Sequence, residues 1–299
     1  MVDKVIGAVD IGGTKIMVGI ADWEGNILSS QSFPTRLGKN GAEESVVRIV
    51  QLLNQQSRGN QKTAGCLSRI GVVCAGPVDT KRGLVQNPYT LPGWNGFPLS
   101  KRLSESTGAP VLLENDANGA LLGEVALRHL EDKRVLMVTV GTGIGAAFMD
   151  RGRLYRPGDG YHPEMGHIVV TSMGDRCYCG QAGCFESRCS GTAVNKRAKE
   201  MGFQDFEELL AAGRSGNPGA LKGLKEISGD FSRGLWNLCV IFKPDVVILG
   251  GGFMECSYHF FVEEFLDFIK GKEDFVGTLQ VVQSKKDANS ALVGAAWLQ

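Results

Sequence analysis

A chain of 299 residues is long for one hydrophobic core and suits two packed lobes. Its 43% hydrophobic and 21% charged residues belong to an ordinary globular protein, and 41 glycines without a period exclude collagen. With 32 basic against 32 acidic side chains, nothing electrostatic favours nucleic acid or an anionic membrane as a partner.

The elements follow in chain order. Residues 5–9 read as a buried strand, then the turn Asp10-Ile11-Gly12-Gly13-Thr14-Lys15, a second strand at 16–20 and a third at 27–33. Three strands without intervening helices predict an antiparallel meander. Helical spacing at 45–53, a core strand at 70–74, a helix starting at 99–103, a strand at 111–113 and a helix at 118–130 complete the first half. The opening pattern then returns about 130 residues later: a strand at 135–140, the turn Gly141-Thr142-Gly143-Ile144-Gly145, and a strand at 146–149. Residues 192–240 are mostly helical, with Leu221, Leu224, Ile227, Phe231, Leu235 and Leu238 on one face. A strand at 246–249 ends in Gly250-Gly251-Gly252, and helix 261–269, strand 279–282 and helix 291–298 close the chain. The order is α/β with two related lobes. We divide it into residues 1–115, with a closing helix 288–299 packing there, and 116–287; a cleft between lobes is the natural ligand site.

No charged-then-apolar leader opens the sequence, and no apolar run reaches the ~18 residues that span a bilayer, so a cytoplasmic protein is expected. Thiols stay reduced there, and the eight cysteines are not read as a disulfide framework. His167, Cys177, Cys179 and Cys184 instead offer one imidazole and three thiolates, a closed tetrahedral set for structural zinc. The redox alternative would need Cys-x-x-Cys, which this stretch lacks.

The glycine turns admit two readings. Gly12 and Gly13 let backbone N–H groups approach phosphate oxygens, Thr14 and Lys15 add donors, and Asp10 suits a hydrated Mg²⁺. Gly141, Thr142 and Gly143 offer a second such turn, and Gly250, Gly251 and Gly252 bare backbone for an adenine ring. Equally, all three are hairpin or loop turns, and none is a Walker A loop. At Glu114-Asn115-Asp116-Ala117-Asn118 a strand gives way to a helix; Asp116 is a candidate base for phosphoryl transfer to an alcohol and Asn115 a candidate sugar contact, against plain helix capping by either. Glu164 and Glu186 flank the metal ligands as candidate acceptors for sugar hydroxyls, against solvated surface acids.

Together these stretches resemble the ROK family (repressors, open reading frames and kinases): Asp10-Ile-Gly-Gly-Thr-Lys15, Glu114-Asn-Asp-Ala-Asn118, Gly141-Thr-Gly-Ile-Gly145, Glu164-Met-Gly-His167 and Cys177-Tyr-Cys-Gly-Gln-Ala-Gly-Cys-Phe-Glu186. The resemblance implies a two-lobed actin-like ATPase (ribonuclease H-like) fold with an inter-lobe cleft, in a homodimer or homotetramer. It also implies ATP with Mg²⁺, structural zinc, and transfer to a sugar hydroxyl, commonly the 6-hydroxyl of glucose or a related N-acetylhexosamine. In those terms Asp116 is the base, and Asn115, Glu164, His167 and Glu186 hold the sugar. His167 then gives one ring nitrogen to zinc and the other to sugar. Two departures bear on the substrate. Thr90 stands where many glucokinases of the family have Asn, and Tyr161-His162-Pro163 precedes Glu164 as in the fructokinase branch, although the retained Cys-x-Cys is not that branch's usual pattern. The family's repressors carry a DNA-binding helix-turn-helix ahead of the first motif, which here starts at residue 10. A catalytically silent sugar-binding protein is the remaining alternative.

Overall fold

A computed structural model describes residues 4–59, 66–159, 161–174, 176–285 and 289–299. The chain divides into two compact units, one of Met1–Glu131, Arg153–Pro163 and Lys285–Gln299, the other of Asp132–Gly152 and Glu164–Ser284.

In the first unit β1 (Val5–Ile11), β2 (Lys15–Ala21) and β3 (Ile27–Pro34) form the expected antiparallel meander, followed by α1 (Gly41–Gly59) and β4 (Leu67–Cys74). A small hairpin, β5 (Val78–Asp79) with β6 (Leu84–Val85), precedes α2 (Leu99–Thr107), β7 (Val111–Asn115) and α3 (Asp116–Arg128). The sheet order is β3–β2–β1–β4–β7, with β4 parallel to β1 and β7 parallel to β4. β1 is buried along nearly its whole length, as a central strand covered on both faces must be, whereas the edge strand β3 is mostly exposed.

The second half repeats the plan. Its strands are β8 (Arg134–Val140), β9 (Ile144–Asp150), β10 (Arg153–Leu154), β11 (Val246–Gly250) and β12 (Gln280–Gln283), in the order β10–β9–β8–β11–β12. Antiparallel pairing of β8 with β9 and parallel pairing of β11 with β8 and of β12 with β11 reproduce the first sheet's pattern. The helices are α4 (Phe185–Cys189), α5 (Gly191–Glu200), α6 (Phe206–Arg214), α7 (Pro218–Phe242), α8 (Met254–Ile269) and α9 (Glu273–Val276), and α10 (Ser290–Trp297) closes the chain. Phe185, Phe206, Phe231, Phe261 and Phe265 are fully buried in the core of this unit. Each burial is worth about 1.5–3 kcal/mol.

Among the described residues no helix is long and apolar enough to cross a membrane. The two sheets with flanking helices are the expected α/β architecture. The division differs from the one drawn at residue 116, because α3 lies with the first unit. There α10 and α3 pack backbone to backbone: a Cβ on Gly294 would stand 1.8 Å from the Gly119 carbonyl oxygen. That contact holds α3, and with it Asp116, against the first sheet. Residues 286–288, where the closing helix was expected to begin, lie outside the described residues, and α10 starts at Ser290.

Candidate active site and metal centre

In the first unit, β1 delivers Asp10 to the hairpin that β2 completes. Burial first, then the negative charge of Asp116, pushes the Asp10 carboxyl up to about 7, with Lys15 pulling the other way. Two carboxylates opposing each other's ionisation suit a divalent cation, which supplies the missing positive charge. The turn itself is tied down from within. Gly12 N–H donates to the Lys15 carbonyl at 3.0 Å, so that amide belongs to the turn rather than to a phosphate. Neither Gly12 nor Gly13 has a positive φ. Thr35, which sequence reasoning missed, clamps both sides: its hydroxyl donates to the Gly12 carbonyl at 2.7 Å and its N–H to that of Thr14 at 2.9 Å. Thr14 and Lys15 are exposed.

Buried Asn87 was missed too. Its Oδ1 accepts the Thr90 N–H at 2.9 Å and its Nδ2 donates to the Thr90 hydroxyl at 2.6 Å, fixing the loop that carries Thr90.

At the β7–α3 junction the competing readings separate. Asn115 is the N-cap: its Oδ1 accepts from Ala117 N–H at 2.8 Å and Asn118 N–H at 3.4 Å. Asn115 is 4% exposed, which leaves any ligand contact to its amide nitrogen. Glu114 is buried as well. One of its oxygens accepts from Asn115 N–H and Asn118 Nδ2, both at 2.9 Å, and the other from Arg156 Nε at 2.7 Å. With the cap supplied by Asn115, Asp116 stands part-exposed at the first helical position, with Oδ1 2.9 Å from the Ala117 N–H and its charge felt at Asp10.

In the second unit the β8–β9 turn holds Gly141, Thr142 and Gly143. Gly143 lies against Glu186: a Cβ there would stand 2.4 Å from Glu186 Oε2, which accepts the Ile144 N–H at 2.8 Å, so the carboxylate would have to move. Sequence reasoning named both residues without seeing this link. Burial, and secondarily Glu186, raises the Glu164 carboxyl, while His167 lowers it, so Glu164, His167 and Glu186 share one electrostatic neighbourhood. The Gly250–Gly252 turn is explained in part by packing. Gly251 has φ +91° and a Cβ there would meet the Val140 carbonyl at 2.4 Å, and one on Gly250 would meet Ser284 at 2.8 Å. Around Gly141 and Gly252 a Cβ would meet nothing within 4 Å, although Gly141 N–H already donates to the Gly143 carbonyl at 2.9 Å and its carbonyl accepts the Gly191 N–H at 2.8 Å.

His167, Cys177, Cys179 and Cys184 converge, their ligand atoms all within 4.8 Å of one another. Cys177 Sγ is 3.5 Å from His167 Nδ1 and Cys179 Sγ is 3.4 Å from Cys184 Sγ. Tetrahedral zinc spaces sulfur–nitrogen and sulfur–sulfur pairs by about 3.6 and 3.8 Å, so the donors are preset for it. All four groups would be consumed, making the site structural. Burial and then Cys179 push the Cys184 thiol up to about 12, so metal binding must displace its proton. Tyr178, between two of the ligands, turns back over His167: its hydroxyl is 3.0 Å from Nε2 and the rings meet edge-on at 5.0 Å. Behind the loop, buried Asp230 takes Arg188, Arg197 and Arg233, and Arg233 Nε also donates to the Val170 carbonyl at 3.0 Å. This network pins α4, which carries Glu186, to α7.

Known proteins resemble this chain along nearly its whole length. The chain is 32% identical to a glucokinase of Thermotoga maritima, over 98% of this chain and 96% of that one. A ROK hexokinase structure from Thermus thermophilus superposes with a TM-score of 0.82 at 30% identity, covering 98% and 96% of the two chains. A ROK family glucokinase from Streptomyces griseus, solved with glucose and AMPPNP, gives 0.72 at 30% identity over 98% of each. A xylose repressor of Bacillus subtilis is also similar, at 27% identity over 83% of this chain and 64% of its own. The sequence profile of the ROK family matches residues 6–299, and the chain belongs to that family.

Proposed function

We propose that this protein transfers the γ-phosphoryl group of ATP to a hydroxyl of an aldohexose, the 6-hydroxyl of glucose or of a related N-acetylhexosamine. The observation that carries the reading is the division of labour at the head of α3. Asn115 caps the helix, while Asp116, whose Oδ1 shares the Ala117 N–H, stands part-exposed beside Asp10. Asp116 accepts the proton of the attacking hydroxyl, and Asp10, with its carboxyl resisting ionisation, is the anchor for a nucleotide-bound Mg²⁺. When bound, Mg-ATP supplies the phosphoryl group and the cation that neutralises it. The turns at Gly12–Lys15 and Gly141–Gly143, with Gly252, take the nucleotide. Glu164 and Glu186 accept sugar hydroxyls, and His167 adds a ring nitrogen while its other nitrogen belongs to the metal set. His167, Cys177, Cys179 and Cys184 would together hold a zinc ion that keeps the sugar-binding loop in shape, with no coordination position left for the chemistry. Support also comes from the similar glucokinases.

A sugar-responsive regulator is the competing reading, motivated by the xylose repressor among the relatives. One screen separates them: coupled ADP release with Mg-ATP over glucose, N-acetylglucosamine, N-acetylmannosamine, allose and fructose. The expected result is sugar-dependent ADP with an aldohexose or N-acetylhexosamine. Fructose as the one good acceptor would move the chain to the fructokinase branch, and sugar binding without ADP would leave a regulator.

A further inference from the structure

The Tyr178 hydroxyl stands against His167 and Glu186, two of the groups proposed above to hold sugar hydroxyls. It lies 3.0 Å from His167 Nε2 and is hydrogen-bonded to the Glu186 side chain. Once Nδ1 is committed to a metal, Nε2 carries the ring's proton and must donate. The phenol therefore accepts from His167 and passes its own proton toward Glu186, a carboxylate already fixed by the Ile144 N–H at 2.8 Å. A sugar hydroxyl, donor and acceptor in one atom, would satisfy the same imidazole and carboxylate in the same sense. Tyr178 is 62% exposed and its ring meets His167 edge-on, so turning it out to solvent would cost little packing.

We infer that Tyr178 is a specificity-determining plug, its hydroxyl occupying the His167–Glu186 hydroxyl position in the sugar-free protein and giving it up when sugar binds. The inference rests on the sugar-kinase reading above. Every acceptor must then displace the tyrosine hydroxyl from both His167 and Glu186, and a sugar lacking the hydroxyl that replaces it is disfavoured because those two groups are left unpaired.

Tyr178→Phe removes the hydroxyl and keeps the ring. In zinc-replete protein it should lower the KM for the accepted sugar about two- to tenfold, the range of one net hydrogen bond, leave kcat within about twofold, and leave zinc content unchanged by metal analysis. Wild-type protein should show a tyrosine near-ultraviolet difference spectrum on sugar addition, and the variant should lose it. An unchanged or raised KM, with wild-type kinase activity intact, overturns the plug and leaves the kinase reading standing. No sugar-dependent ADP from the wild type overturns both.

Discussion

Asp10→Asn should make the protein more stable while disabling it, and the gain should depend on pH in a defined way. A carboxyl with an ordinary value of 3.8 sits in the fold at about 7, chiefly because it is buried and secondarily because Asp116 is near. Below the unfolded value both states hold the proton and the group is neutral in its effect. From about pH 4 to about pH 7 the folded state holds a proton that the unfolded state has lost, so stability falls as pH rises. Above that both are ionised and the full penalty stands. At about 1.4 kcal/mol per pH unit the penalty is about 4 kcal/mol, and solvent reaching the part-exposed side chain brings the expectation to about 2–4 kcal/mol. Asn never ionises and pays none of it. Urea unfolding of the wild type and the variant, free of nucleotide and Mg²⁺, should give equal stabilities near pH 4 and a gap favouring the variant that grows to a plateau above about pH 7. Taking the difference cancels groups that titrate alike in both proteins. Mg-nucleotide at pH 8 should narrow the gap by stabilising only the wild type. A gap that does not vary with pH would refute the argument, and so would a variant with full kinase activity.

Other consequences are quicker to check. Cys179→Ser removes one of four converging donors; metal analysis should show zinc lost, and thermal unfolding should become insensitive to chelator, whereas retained stoichiometric zinc would contradict the ligand set. Gly143→Ala puts a methyl 2.4 Å from Glu186 Oε2 and should break its bond to Ile144. A raised sugar KM with normal zinc content is expected, and an unchanged KM would remove Glu186 from sugar binding. Gly294→Ala drives a methyl into the Gly119 carbonyl at 1.8 Å; unfolding experiments should show a loss of more than about 2 kcal/mol, and a neutral result would mean that α10 and α3 do not touch as described.

The strands were legible because their signal is local: apolar runs punctuated by glycine turns, repeated about 130 residues apart, led to two sheets of matching order. The metal set was legible for the same reason, since four residues of two uncommon ligand types cluster within 18 residues. What spacing could not separate was capping from chemistry at Asn115 and Asp116, because both are good cap residues and only the geometry shows which one caps. Nor could it separate a ligand-facing glycine from a packed one: Gly251 and Gly252 are neighbours, yet one is pressed against Val140 and the other faces open space. Long-range partners were invisible. Thr35 on the Gly12 turn and Asp230 with Arg188 and Arg197 act through residues far away in sequence, and Asn87, three residues before Thr90, lies in no pattern that marks it. Tyr178 was hidden in plain view, quoted inside the zinc motif with no pattern to mark that it folds back over His167.

Asp116→Asn in the ADP-release assay, paired with direct titration of the sugar, goes to the centre of the account. An amide keeps the size and loses the basicity, so sugar affinity should hold within a few-fold while kcat falls by about two to four orders of magnitude. Turnover comparable to the wild type would mean that Asp116 takes no proton, and another group would have to be found for that role.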